Sequence, residues 1–503
     1  MTAPDPTTVV DHGFSSSGFN PQVSTDADES VLDERRRVTR HGLVYIFGAV
    51  AQGGLGFLLL PFLTRIIGLT QFGVVSAALA LAAVLTALLP LGLNNAIVRL
   101  FYDEPAYVRH AEWSALLIVQ FVISLVLVAV LLLSGPLWGG LFRGVGWSAP
   151  LALAVVYSFA LGIQETTAGV LRAARRPGAF VGVILTQTIL GGGLALWLAS
   201  RSGASGYMTG LCIGAGISAV MALMLAARRP RWRTEAVLAG LAVGFPFLFH
   251  SLSNWVLNLS DRLVIEADLG LNQLAQYQLA YVIATVAFIL FEGMQSAWAP
   301  FYFSLPATRK RSLPALLFGP ATAVAAGFGC LLVAVAPVIV VIAAPASFGR
   351  NYVVIALVAA TVCVRPAYLL GIVTLLDSKR GSRIAVASVS AAAINLGLNL
   401  LLVPLWGVDA AAGATLVAYG LQALIVDRSV YRNRQIGFGL VPMLASWGIA
   451  TAVILSIALL PTNAAGWAAR GGSIVVAGVF TVRAIQRLRL RFAQSAPTST
   501  LAQ

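Results

Sequence analysis

Long apolar runs recur from Gly42 to Val482, each closed by a short polar or basic stretch. A helix rises 1.5 Å per residue, so about 20 apolar residues cross a hydrocarbon core roughly 30 Å thick. The runs have that length. A transmembrane β-barrel would instead alternate apolar and polar positions over segments of about ten residues. The stretch LALAAVLTALLPLGL at 79–93 does not alternate. The pattern predicts an all-α, polytopic membrane protein with spans near 42–63, 73–97, 113–134, 149–171, 179–200, 206–227, 238–260, 276–298, 316–343, 352–376, 384–403, 409–427, 438–460 and 467–486, fourteen in all.

Composition agrees: the 503 residues are 58% apolar and 10% charged, with a mean hydropathy of +0.87. The net charge of +14 changes the picture only once it is placed along the chain. With fourteen spans, 26 of the 33 Lys and Arg residues fall in the termini and loops of one side, six on the other, and Arg365 inside a span. Basic clusters between apolar runs speak for topology rather than nucleic acid, and the positive-inside rule makes both termini cytoplasmic. Cys212, Cys330 and Cys363 lie within apolar runs and have neither disulfide nor metal spacing. Residues 1–40 read as a disordered cytoplasmic tail with no signal-peptide pattern.

A faint internal repeat divides the spans. RIIGLTQFGVVSAALA from Arg65 resembles RLVIEADLGLNQLAQYQLAY from Arg262, with Leu69-Thr70-Gln71-Phe72 against Leu271-Asn272-Gln273-Leu274. Two six-helix bundles, 41–235 and 236–435, are expected, followed by two further spans in 436–488 and a cytoplasmic tail at 489–503. Such parallel repeats place a substrate site between the bundles.

Intramembrane polar residues are costly and mark cavities or partners. Arg365 lies midway along span 10, and the missing N–H of Pro366 loosens the helix beside it. His250, Asn254, Asn258 and Asp261 share one face of span 7, and Tyr281, Thr285, Glu292 and Gln295 share one face of span 8. Inter-helix hydrogen bonding accounts for either stripe alone. Two stripes on adjacent helices point to a hydrated cavity. Glu165 in span 4, with Glu292, His250 and Asp261, is a candidate for ion or proton coupling. No GxxxxGK loop, HExxH or Cys/His cluster is present, so no catalytic residues, metal site or cofactor are expected.

The stretches GFLLLPFLTRIIGLTQFG at 56–73, LGLNNAIVRLFYDE at 91–104, FPFLFHSLSNWVLNLSDRLVI at 245–265 and AWAPFYFS at 297–304 resemble the bacterial lipid-linked polysaccharide flippases, often called Wzx-like, of the multidrug/oligosaccharidyl-lipid/polysaccharide exporter superfamily. The resemblance implies a V-shaped pair of six-helix bundles in the bacterial cytoplasmic membrane. These would carry a polyprenyl-diphosphate-linked oligosaccharide outward by alternating access. It implies no enzyme activity and no cofactor; a Na⁺ or H⁺ gradient or the membrane potential would drive transport. Arg65, Arg262 and Arg365 would hold the diphosphate, and Asn254, Asn258, Tyr281 and Gln295 the sugars. Partners implied are the lipid-linked oligosaccharide, the bilayer, a polysaccharide polymerase and glycosyltransferases. A cation-coupled multidrug exporter and a peptidoglycan-precursor flippase are the alternatives within the superfamily.

Overall fold

The computed structural model describes residues 21–94, 96–97, 106–226, 232, 234–303, 305–431 and 438–495. The side chains of 21–47, 49–52, 106–112, 236, 243, 246–247, 249–250, 254, 258, 289–297, 299–301, 307–309 and 491–495 lie outside that description. The chain is all-helical among these residues. In order run α1 (Pro21–Leu88), α2 (Ala106–Leu133), α3 (Ala149–Ala173), α4 (Pro177–Leu185), which passes through a π-helical turn at Thr186–Gly191 into α5 (Gly192–Ala226), then α6 (Thr234–Leu269) and α7 (Leu271–Phe303). There follow α8 (Ala307–Ala343), α9 (Tyr352–Thr361), α10 (Arg365–Asp377), α11 (Gly381–Tyr431), α12 (Leu440–Ala458) and α13 (Ala464–Ser495).

Nine helical stretches among the described residues are long and apolar enough to cross a membrane. Three of them turn back partway at a glycine with positive φ: Gly68 in Gly53–Leu88, Gly203 in Pro177–Ala226 and Gly407 in Gly381–Tyr431. Each of these counts as two spans. α6 and α7 stand where spans 7 and 8 are expected, and with them the total reaches fourteen. Exposed Val122, Leu125, Val126, Leu400 and Leu401 form an apolar perimeter of the kind that faces lipid.

The turns carry the repeat far more clearly than the residue letters do. Positive φ at Gly68, Gly146, Arg175 and Gly203 recurs at Gly270, Gly349, Lys379 and Gly407, a constant spacing of 202 to 204 residues. The two basic members end their helices identically. The Arg176 N–H donates to the Leu171 carbonyl and the Arg175 N–H to that of Arg172, both at 3.0 Å. The Arg380 and Lys379 N–H groups repeat this on Leu375 (2.8 Å) and Leu376 (3.0 Å). All six glycines in the series follow an odd-numbered span, so by parity they share one end of the molecule, the arginine-poor end.

Close helix packing relies on small residues. Gly206, Gly210 and Gly214 form a GxxxGxxxG series on the sixth span. A Cβ at these positions would lie 2.1 Å from Leu198 O, 2.2 Å from Ala195 N and 2.2 Å from Gly191 Cα, so the fifth and sixth spans touch backbone to backbone. Gly327 of α8 makes room for the side chain of Thr481 on α13. The two last spans are pinned to α8 by Arg470, 1% exposed, whose guanidinium donates to Val333 O (3.3 Å) and Leu460 O (2.7 Å). Burial grades across the bundle: the apolar window of Tyr352–Asp377 is 78% buried and that of Ala464–Leu490 only 22%. The span that carries Arg365 is the most deeply buried of these nine stretches.

Candidate functional site

The tenth span is broken beside its charge. α9 ends at Thr361, the N–H groups of Val362, Cys363 and Val364 bond three residues back, and α10 begins at Arg365. Pro366 is the cause: it offers no N–H to continue the ladder. Arg365 therefore sits at the N-terminus of a half-helix midway along a membrane span, where the helix dipole adds to its own positive charge. Its guanidinium carbon lies 5.4 Å from the ring centres of both Phe288 on α7 and Tyr419 on α11. The side chain is half-buried.

A second constellation lies near the arginine-poor end of α6 and α7. Asp261 and Arg262 pair at 2.7 Å, both nearly inaccessible. The Tyr277 hydroxyl donates to the other Asp261 oxygen, and Arg262 Nε donates to Gln278 Oε1 at 2.8 Å. The guanidinium stacks over Tyr281, 4.3 Å from its ring centre. Arg262, Asp261 and Tyr281 are thus brought together, with Arg262 turned toward its own half. Tyr277 and Gln278 were missed in the sequence, although Tyr277 precedes Tyr281 by four residues and extends the span 8 stripe.

Arg65 is elsewhere. Exposed at the end of the first span, it donates to Pro61 O (2.9 Å), Ile342 O (3.0 Å) and Val341 O (3.4 Å). Thr64 Oγ1 donates to Ala343 O at 2.7 Å. These bonds tie the first span to the ninth. The repeat-related position is tied reciprocally: at the end of α6, Glu266 Oε1 accepts the Gly144 N–H at 2.5 Å, and Arg143 reaches Ala267 O (3.4 Å) and Asp268 (3.9 Å). Between the two ties, Thr70 Oγ1 donates to Asn272 Oδ1 at 2.8 Å. Thr70 and Asn272 are the residues paired by the sequence repeat, so the turns meet like on like. A Cβ at Gly73 would lie 2.3 Å from Leu271 O, which shows how closely they pack. We call this set of contacts the clasp. At the opposite end Gly92 and Gly244 bring the second and seventh spans equally close.

Glu266 lies beyond the end of span 7. Burial pushes its carboxyl above the ordinary range, against the N–H groups of Gly144 and Arg143, which pull it down. Glu165 is exposed on α3 between buried Gln164 and Thr166 and has no hydrogen-bond or ion-pair partner among the described residues. The side chains of His250, Asn254, Asn258, Glu292 and Gln295 lie outside the described residues, as does Arg99.

Residues 38–305, more than half of the chain, match the model of a family described as polysaccharide biosynthesis protein. No curated protein matches the chain significantly by sequence. In fold the chain is similar to a structure of the lipid II flippase MurJ in an inward closed conformation, with a TM-score of 0.67 and 12% identity over 90% of this chain and 100% of that one. It is also similar to an inward-facing multidrug resistance MATE family transporter of the MOP superfamily (0.58, 16%, 80% and 95%). A third is a MOP superfamily transporter from Pyrococcus furiosus, titled for the reverse polarity of its binding pocket (0.54, 15%, 83% and 96%). By these matches the chain is a multi-pass membrane protein with the fold of MurJ and the MATE transporters, and it belongs to the polysaccharide biosynthesis protein family.

Proposed function

We propose that this protein is a flippase that moves a polyprenyl-diphosphate-linked oligosaccharide from the inner to the outer leaflet of the bacterial cytoplasmic membrane, in the service of cell-surface polysaccharide synthesis. The observation that carries the reading is Arg365 at the head of the half-helix α10, in the most deeply buried of the nine apolar stretches. A fixed guanidinium and a helix N-terminus both favour an anion, and a diphosphate leaving water needs such partners. Phe288 and Tyr419 flank the cation, each ring centre 5.4 Å from the guanidinium carbon.

In this reading residues 41–235 and 236–435 act as two six-helix halves, 436–488 as an appended pair, and both termini are cytoplasmic. The arginine-poor end then faces outward, and the clasp is the outer closure that opens to release cargo. In the state seen Arg65 belongs to that closure and Arg262 is held within its own half by Asp261 and Gln278, so both would reach the headgroup only after rearrangement. Asn254, Asn258, Tyr281 and Gln295 would contact sugars. Glu165, exposed on α3 and without an ion-pair partner among the described residues, is the leading candidate for coupling to a proton or sodium gradient, ahead of Glu292, His250 and Asp261. A polymerase and glycosyltransferases would act on either side of the step.

Deletion of the gene followed by analysis of lipid-linked intermediates tests the reading. Accumulation of a polyprenyl-diphosphate oligosaccharide on the inner leaflet is expected. Accumulation of a peptidoglycan precursor would transfer the same headgroup chemistry to a lipid II substrate, and no accumulation together with sensitivity to cationic drugs would replace the proposal by multidrug export.

A further inference from the structure

At the arginine-rich end of the bundle, a cavity of about 500 Å³ lies between α8 and the two appended helices α12 and α13. Phe318, Phe438 and Pro442 form its apolar walls, and Phe318 and Phe438 stack at 4.8 Å. Its polar lining includes Ser446, Arg483 and Arg487. The two arginines are four residues apart, hence on one face of α13, and among the described residues no acidic side chain lines the cavity with them. The Phe438 end of the wall is fixed by its N–H, which donates to Asp427 Oδ1 at 2.6 Å. Around the cavity Leu316, Leu444, Phe480 and Val482 are exposed apolar side chains, so its mouth opens at the lipid-facing perimeter rather than toward Arg365.

A second cavity of about 500 Å³ repeats this chemistry at the ends of α11. Arg383 and Arg428 line it beside Leu421, Leu424 and Val386, and Arg383 is held by Ser429 O at 3.1 Å. A positive-inside loop needs arginines only in water. Arginine pairs set into apolar-walled recesses at the membrane edge meet a phosphate that carries chains.

We propose that the α8/α12/α13 cavity is a binding site for the phosphodiester headgroup of an anionic glycerophospholipid from the adjacent leaflet, with Arg483 and Arg487 on the phosphate and the aromatic wall against the upper acyl chains. A lipid seated there bridges the appended helices to α8 and makes their position sensitive to membrane composition. This site is separate from the proposed transport path and stands whether or not that proposal holds.

The test uses the full-length protein in detergent, with native mass spectrometry after exchange into phosphatidylglycerol or phosphatidylcholine. Wild type is expected to retain phosphatidylglycerol selectively. The double variant Arg483→Ala/Arg487→Ala should lower that retention by about tenfold or more, and Arg483→Lys/Arg487→Lys should keep most of it. Gly319→Leu is the second variant. A Cβ at Gly319, which lines the cavity, meets nothing within 4 Å, so the leucine fills the site while both charges stay. It too should exclude the lipid, with the melting temperature in phosphatidylcholine unchanged. Retention equal to wild type in the double alanine variant and in Gly319→Leu overturns the proposal. So does displacement of the lipid by millimolar inorganic phosphate, which would mark a free-anion site, or preference for a polyprenyl diphosphate over phosphatidylglycerol, which would mark a substrate site.

Discussion

Arg365 is the residue on which transport is expected to depend most. The repeat spacing of 203 to 204 sets it against Leu161 or Gly162 in the first half, so no symmetric partner shares its task. Arg365→Ala should reduce delivery of the lipid-linked glycan by roughly tenfold or more, with protein in the membrane at normal level. Arg365→Lys separates two roles: recovery of flux would mean that charge suffices, and failure would mean two-pronged contact with phosphate oxygens. Flux equal to wild type in the alanine variant would remove this arginine from the path. Arg365 was legible because a lone cation beside a proline in an apolar run has few readings. Arg470 was not. It stands near the end of a span, where an arginine reads as a solvated charge, and only the packing of α8 against α13 reveals two backbone carbonyls as its partners. Arg65 and Arg262 were found as residues, but the bond of Arg65 to α8 depends on how the halves meet, and that of Arg262 to Gln278 on how α6 packs against α7.

At the scale of elements, the fourteen spans and the break at Pro366 follow from run length and proline chemistry, both local properties. Helix contacts are less local. The GxxxGxxxG series at 206–214 was visible as letters, and what it approaches became clear only with Gly191 and Ala195 in view. Gly210→Leu should force the fifth and sixth spans apart and cost about 1–3 kcal/mol or more, the usual range for overpacking. Thermal unfolding in detergent measures this. Gly216→Leu on the same helix is the control, since a Cβ there meets nothing within 4 Å. Equal melting temperatures for the two variants would show that the close contact contributes no stability. The repeat was faint in sequence because backbone turns tolerate many side chains. Its recurrence at 202 to 204 residues is a property of φ, which a comparison of letters sees only where glycine supplies it.

At the scale of the molecule, the clasp joins the ends of the first and seventh spans to the opposite half, and its chemistry gives it a direction of response to pH. Burial raises the Glu266 carboxyl in the clasped state, whereas opening returns it to water and to the ordinary range near 4.3. The clasped form therefore binds the proton more tightly. Its extra stability is fully present below the ordinary value and is lost as pH rises through the raised one. Opening at the arginine-poor end should become easier over that interval, measured as the distance between labels on the 143–148 loop and the 267–273 turn. Glu266→Gln should stay closed with no pH dependence. A dependence unchanged in that variant would assign it to another group. In the proposed orientation, which turns this end outward, protons from outside would favour closure, the direction that a returning carrier driven by proton entry requires.

Thr70 and Asn272 test whether the clasp must open at all. Their side chains touch at 2.8 Å across the repeat, one from each half. That contact puts the two positions within side-chain reach, so cysteines at both are the pair to test for a disulfide. Because the pair sits between the two reciprocal ties, a bond there holds both halves without altering Arg365. Oxidised Thr70→Cys/Asn272→Cys should stop delivery of the glycan to the outer leaflet, and reduction should restore it. Each single variant should transport normally, since one exposed hydrogen bond contributes only about 0.5–1.5 kcal/mol. Full transport by protein shown to be cross-linked would sink alternating opening at this end. The cargo would then have to leave by a route between helices, with the clasp as a fixed hinge.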